Sequence, residues 1–440
     1  MADVVVFGSP VSVGHVRPLM PLARRLVERG LGVIWVISGD ANEPASVWER
    51  PLTELGVQFI DLDRIAMFER VVTDATHSAV GLRRRVIARA NDVSAAATEA
   101  LRAAAAGRRI VAGVLDYFAL WSYVAMKHLC VPRISVLVSA FPTLDYAGID
   151  DVADDPVYQR ELATLRASSS GVASLEPLLL GFMPVDPAVQ MFAATSSHLC
   201  KDAYPEIHLL GVPRETLPAS SDTAVPAEHE ALIGRLRAVR SEGARVVLLS
   251  MGSVVLRFGA RIDPAFPARV RQLYTTLAAA ALRSGAIVIA STTGSSADAL
   301  GLDEVALGPA ARDRVIALPF VPQPLLFAHG LVDAMLMHGG ANTFHETVLA
   351  GIPTIVWPVM GDQGSVANAV VAAGVGASVE TCSFPDLEGA RSLEHIADVT
   401  LPAMLSPADN PWKVAACRLS RLLASEDGVT ASAAFVLGDR

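Results

Sequence analysis

At 440 residues the chain exceeds what one ordinary hydrophobic core accommodates, and two domains of roughly 200 residues each are expected. With 52% hydrophobic and 18% charged residues it can bury enough apolar surface to fold, which excludes disorder as its main state. A net charge of −9 argues against nucleic acid as a partner, since such binding favours a basic surface.

The first half alternates short β-rich runs with helical stretches, the pattern of a parallel sheet covered on both faces. Val4–Phe7 reads as the first strand, followed by a loop with Gly8, Pro10 and Gly14 and a helix starting at Pro18. Leu31–Ile37, Val57–Leu62, Ile110–Leu115 and Arg133–Val138 continue the strand series. The most apolar run, Ile110 to Met126, carries Asp116 in its middle, so it reads as strand, loop and buried helix rather than a membrane span. Pro213 to Pro226 lacks periodicity and marks a linker. Beyond it, Val246–Ser250, Ala286–Ala290, Val315–Leu318, Ala334–Met337 and Thr354–Trp357 read as the strands of a second doubly wound unit.

The expected organisation is therefore a first domain over 1–213, a linker over 214–227 and a second domain over 228–410. The segment 411–440 is helical and could pack back on the first domain. The four cysteines, Cys130, Cys200, Cys382 and Cys417, show no CxxC or metal-ligand spacing. Neither a secretory signal nor stable membrane insertion is read from the sequence, and a reducing cytoplasmic setting is expected.

The most informative stretch runs from Phe320 to Gln363. A buried strand, Ala334–Met337, ends in the tight turn His338-Gly339-Gly340, and a helix follows from about Asn342 to Leu349. Glycines let backbone approach a ligand closely, and a helix start offers unused N–H groups and a positive dipole end. With His338 and Thr343 as side-chain donors, this arrangement suits a diphosphate. Asp362-Gln363, past the next strand, could read a hydroxyl-rich ligand.

This stretch resembles the signature of family-1, UDP-dependent glycosyltransferases of the GT-B fold, found in plant natural-product enzymes and their bacterial relatives. The register holds without a gap, with Pro322-Gln323, His329, His338, Gly340, Asn342, Glu346, Pro358 and Asp362-Gln363 at matching places. The resemblance implies two Rossmann-like domains facing across a cleft, with the nucleotide sugar on the second and the acceptor on the first. It assigns base stacking to Phe320, with Val321 and Gln323 beside it. The diphosphate falls to His338, Gly340, Asn342 and Thr343, the ribose hydroxyls to Glu346, and the sugar to Asp362 and Gln363. Phe320 and Ala341 replace tryptophans of the plant members, which weakens the preference for uracil over thymine. Glu346 favours UDP, because a carboxylate can accept from both ribose hydroxyls.

A second similarity lies in Gly14-His15-Val16-Arg17-Pro18, where the family carries a catalytic histidine in a GHxxP context. The family's partner aspartate corresponds to Asp116. An acceptor hydroxyl needs a base to become a nucleophile, and a carboxylate on the other ring nitrogen fixes the tautomer. Ser253, in Met251-Gly252-Ser253, matches a donor-touching turn. Taken singly, these residues have plainer readings: His15 as a loop histidine, Asp116 as a cap or Asx-turn residue, Glu346 as a solvated helix residue, Phe320 as core. His345 is read as structural, and His338 with His345 lacks a third ligand for zinc. The segments Ile65–Val86 and Phe141–Phe192, with Met67, Phe68, Tyr146, Met183, Met191 and Phe192, could line an acceptor pocket or pack as core.

The expected function is inverting transfer of a hexose, UDP-glucose being the favoured donor, to a hydroxyl of a small hydrophobic acceptor such as a phenol, polyketide or macrolide. No metal and no further cofactor is expected. The alternatives are a dTDP-deoxysugar transferase of antibiotic biosynthesis, a UDP-sugar epimerase, and a non-catalytic nucleotide-sugar binder.

Overall fold

The computed structural model describes residues 3–39, 44–65, 79–139, 141–142, 155–168, 175–178, 181–184, 189–213, 227–252, 255–256, 259, 263–406 and 410–439. The chain forms two compact units, one of residues 1–213 with 427–440 and the other of residues 214–426. The segment 411–440 is thus divided: the helix Pro411–Leu423 belongs to the second unit and the helix Gly428–Leu437 to the first. All of the expected linker except Ala227 lies outside the described residues.

The first unit holds a seven-stranded parallel sheet. Its strands are β1 (Val4–Pro10), β2 (Gly32–Ser38), β3 (Gln58–Asp61), β4 (Ile110–Asp116), β5 (Ile134–Leu137), β8 (Val189–Ala193) and β9 (Ile207–Leu209). Their order is β3-β2-β1-β4-β5-β8-β9, and every pair runs parallel. Two further strands, β6 (Leu175–Leu178) and β7 (Gly181–Pro184), form a separate antiparallel ribbon. The runs Val4–Phe7 and Val33–Ile37 are buried throughout, as strands covered on both faces require.

The second unit is built the same way from β10 (Val246–Ser250), β11 (Ile287–Ser291), β12 (Val315–Leu318), β13 (Ala334–Met337), β14 (Thr354–Val356) and β15 (Gly376–Ser378). The order is β12-β11-β10-β13-β14-β15, all parallel. Chain direction across the sheet reverses at β10, and ligands of such sheets gather beyond the carboxyl ends of the strands near that point. This pair of parallel sheets flanked by helices is the GT-B fold.

Two local differences from the sequence reading matter. Gly8 and Pro10 continue β1 rather than opening a loop, and a single helical turn, Val13–Val16, then precedes a 3-10 turn at Arg17–Leu19. The helix read from Pro18 begins at Met20. Strands β8, β9 and β15 had no strong pattern of their own; their three to five residues are fixed by pairing with a neighbour already in place.

The C-terminal helix is integral to the first unit. Val429, Ala433 and Val436 are buried, Asp427 caps the helix start through Thr430 N–H, and Arg29 reaches Asp439 at 2.6 Å. Truncation after residue 426 should therefore lower the unfolding temperature by roughly 10 °C, from loss of the two buried valines alone. Calorimetry of the truncated chain checks this, and an unchanged transition would show the helix to be dispensable.

Candidate functional site

In the first unit, β1 and β4 lie side by side, so the segments that follow them meet. His15 sits in the turn Val13–Val16, directly after β1, and Asp116 is the last residue of β4. His15 Nδ1 lies 3.0 Å from Asp116 Oδ2, and Asp116 is wholly buried. Its other oxygen, Oδ1, accepts the Phe118 N–H at 2.9 Å. Asp116 therefore makes an Asx-type turn with one oxygen and bonds the imidazole with the other.

Ser139, two residues past β5, places its Oγ 2.9 Å from the same Nδ1. Sequence reasoning missed it; the available signal was a serine just beyond the strand next to the one bearing Asp116. Phe118 meets the imidazole edge-on, with centroids 4.9 Å apart and planes at 88°. Among the described residues both hydrogen bonds of the ring use Nδ1, which leaves Nε2 for a ligand. A neutral imidazole held as its Nδ1–H tautomer against a buried carboxylate can take a proton at Nε2.

In the second unit the described residues among the expected donor set follow the carboxyl ends of β12, β13 and β14. His338 follows β13, and Gly340 caps the helix Ala341–Leu349, which carries Asn342, Thr343 and Glu346. Two glycines define the space around His338. A Cβ on Gly252 would stand 2.5 Å from its ring, and one on Gly340 would stand 2.6 Å from Nε2. Gly252 also has φ +69°, where glycine is favoured. His338 Nδ1 is shut from solvent and has no hydrogen-bond partner among the described residues. Burial pulls its pKa down to about 4, so the ring is neutral near pH 7. The helix start beside it has no side-chain cap, and first-turn N–H groups of a helix lack intrahelical acceptors.

Phe320 is 65% exposed, an unusual place for a phenyl ring and a suitable one for a stacking surface. Glu346 is 4% exposed, so the solvated-helix reading does not hold. Val321 is buried, and its carbonyl accepts the Gln323 N–H at 2.8 Å. Two glutamines are engaged with the protein itself. Gln323 Nε2 donates to Ser250 Oγ at 2.6 Å, a partner that the sequence did not reveal. Gln363 Oε1 accepts from Val359 and Met360 N–H at 2.8 and 3.0 Å, closing the loop before Asp362, which directly precedes the helix Gln363–Ala372. Among the described residues, the other amide atom of each glutamine makes no hydrogen bond to the protein. Ser253, Met67, Phe68 and Tyr146 lie outside the described residues, as does nearly half of the stretch 141–192 that was read as pocket lining or core.

Residues 200–398 match the family model described as UDP-glucuronosyl and UDP-glucosyl transferase. The match covers 199 of the chain's 440 residues, so a little under half of its length is similar to that family. Among curated proteins, a sterol 3-beta-glucosyltransferase of Komagataella phaffii is 35% identical over 112 residues, which is 26% of this chain and 8% of that protein. An anthocyanidin 3-O-glucosyltransferase of Fragaria ananassa is 44% identical over 48 residues, 11% of this chain and 10% of its own. The chain thus matches about a tenth of the length of these relatives. Similarity to solved structures spans the whole chain. The glycosyltransferase of kitacinnamycin gives a TM-score of 0.66 at 18% identity, covering 99% of this chain and 98% of that one. A spinosyn rhamnosyltransferase complexed with thymidine diphosphate gives 0.60 at 18% identity, covering all of both chains.

No group of three or more His, Cys, Asp or Glu among the described residues is placed to hold a metal ion. No described helix is long and apolar enough to cross a membrane. His345 stacks against Phe344 at 6.3 Å and is 9% exposed, and burial lowers its pKa to about 4 as well.

The rings of His338 and His345 make stability depend on pH. Both histidines bind a proton near pH 6.5 when unfolded but only near pH 4 when folded, so acidification through that interval favours unfolding. Stability should fall between pH 6.5 and 4, by up to about 1.4 kcal/mol per pH unit for each ring, and His345→Gln should flatten the slope. Equal slopes in thermal melts of the two proteins would contradict this. Gly252→Ala, which crowds the His338 ring, should weaken nucleoside-diphosphate binding about tenfold or more while the fold persists, as read by titration calorimetry and circular dichroism.

Proposed function

We propose that the protein is an inverting glycosyltransferase, moving a hexose from a nucleoside-diphosphate sugar to a hydroxyl of a hydrophobic small-molecule acceptor. The observation that carries this reading is the 3.0 Å bond from His15 Nδ1 to buried Asp116, which leaves Nε2 available. In the reaction, His15 Nε2 takes the acceptor's hydroxyl proton while the oxygen attacks the anomeric carbon. The bond to the nucleoside diphosphate breaks as the new bond forms, with inversion. Charge growing on the leaving diphosphate is met by His338 and by the first-turn N–H groups of helix Ala341–Leu349. The step needs no metal ion. A UDP-sugar epimerase or a simple nucleotide-sugar binder has no use for a His15–Asp116 pair.

For the donor, UDP-glucose is the first reading. Glu346 supplies a carboxylate suited to two ribose hydroxyls, and the curated relatives are named glucosyltransferases. A second reading, a dTDP-deoxysugar, is favoured by the similar structures described as complexes with thymidine diphosphate or dTDP. Phe320 can stack on either base. Natural-product acceptors such as phenols, polyketides or macrolides fit the structural neighbours named for kitacinnamycin and calicheamicin. Four free cysteines fit a reducing, cytoplasmic setting.

The test is turnover with UDP-glucose and dTDP-glucose against a panel of such acceptors. His15→Ala and Asp116→Asn should each lower kcat about a hundredfold or more, while the thermal shift given by UDP stays as in the wild type. Unchanged turnover in His15→Ala would sink the mechanism. Glu346→Gln should narrow any preference for UDP over dTDP, and an unchanged ratio would remove Glu346 as the ribose ligand.

A further inference from the structure

Two described residues other than glycine have positive φ, Cys130 at +53° and Thr293 at +49°. Cys130 follows the helix Leu120–His128, where a left-handed residue commonly ends a helix. Thr293 has no such reason. It is β-branched, and a branched residue in this region is a strained outlier. Strain of this kind collects at functional sites, where surrounding contacts hold it.

The contacts of Thr293 lie at the carboxyl ends of three adjacent strands. Its own loop follows β11. Its N–H donates to the Pro319 carbonyl at 3.1 Å, beyond β12 and next to Phe320. Its hydroxyl donates to the Gly252 carbonyl at 3.3 Å, beyond β10. Gly252 N–H in turn approaches Ser250 Oγ at 3.4 Å, and Ser250 Oγ accepts from Gln323 at 2.6 Å. These bonds and the short segment 319–323 close a ring. One side of it carries Phe320, and the other carries the Gly252 turn that packs against His338. A glycine would accept φ +49° at less cost, but it has no hydroxyl to offer Gly252.

We propose that Thr293 is a positioning residue of the donor site, its strained backbone aiming the hydroxyl that fixes the Gly252 turn against His338. This rests on the reading of unit 2 as a nucleoside-diphosphate site. Thr293 acts through Gly252 and Pro319, linking the surface for the base to the turn for the diphosphate.

The experiment is titration calorimetry of UDP and dTDP with the full-length wild type, Thr293→Ser, Thr293→Val and Thr293→Gly, with the melting temperature of each nucleotide-free protein. Serine keeps the hydroxyl, valine keeps the shape and strain without it, and glycine removes both. Thr293→Ser should bind within about twofold of the wild type, whereas the valine and glycine variants should bind about five- to tenfold more weakly. The glycine variant should melt close to the wild type, because relief of strain offsets the lost bond. Wild-type affinity in Thr293→Gly, or serine as weak as valine, would overturn the proposal. So would a loss of affinity that merely tracks a fall in melting temperature, since that is a structural effect. Wild-type protein that binds neither nucleotide would overturn the donor-site reading itself, and this proposal with it.

Discussion

The constraint on which the rest of this structure depends is the parallel pairing of its strands. Every strand of the two main sheets leaves at the same edge, so the segments after β1, β4 and β5 meet in one unit. Those after β10 to β14 meet in the other. Residues 101 positions apart, His15 and Asp116, become hydrogen-bonded partners because their strands are neighbours. No local interaction could bring them together. The loops are free to vary because buried strands such as β1, β10 and β13 carry the stability.

Burial is used differently at the two histidines. His15 is partly exposed and is steered by a buried carboxylate, an arrangement suited to accepting a proton. His338 is flanked by glycines with no carboxylate bonded to it among the described residues, and burial keeps it neutral. A neutral imidazole can donate one hydrogen bond to an anion without first losing a charged partner. In the proposed donor site an arriving diphosphate would favour its protonation, so that charge is supplied when the ligand provides the compensation. The glycines matter because their missing side chains leave the space in which that ring sits.

Much of the second unit was legible in the sequence, because its motif is local. Strands β10, β12 and β13 fall where buried apolar runs predicted them, and the glycine turn and helix start after β13 follow from residue type. The glutamines were read as ligand residues, yet each gives one amide atom to the protein. Residue type shows that an amide can bond, but not with what. Glu346 by composition alone belonged on a solvated face; its burial is a property of what packs over the helix.

The sequence by itself determined the doubly wound fold class and most of the strand series, because hydrophobic period, glycine turns and helix starts act over a few residues. The candidate donor residues were named by the family resemblance. Only the tertiary structure decided that His15 occupies a helical turn, that Ser139 shares its nitrogen, and that Ser250 and Thr293 support the Gly252 turn. It also decided that residues 427–440 complete the first unit. Each of these depends on contacts between segments distant along the chain, and such contacts are set by strand order and burial, which no short stretch encodes.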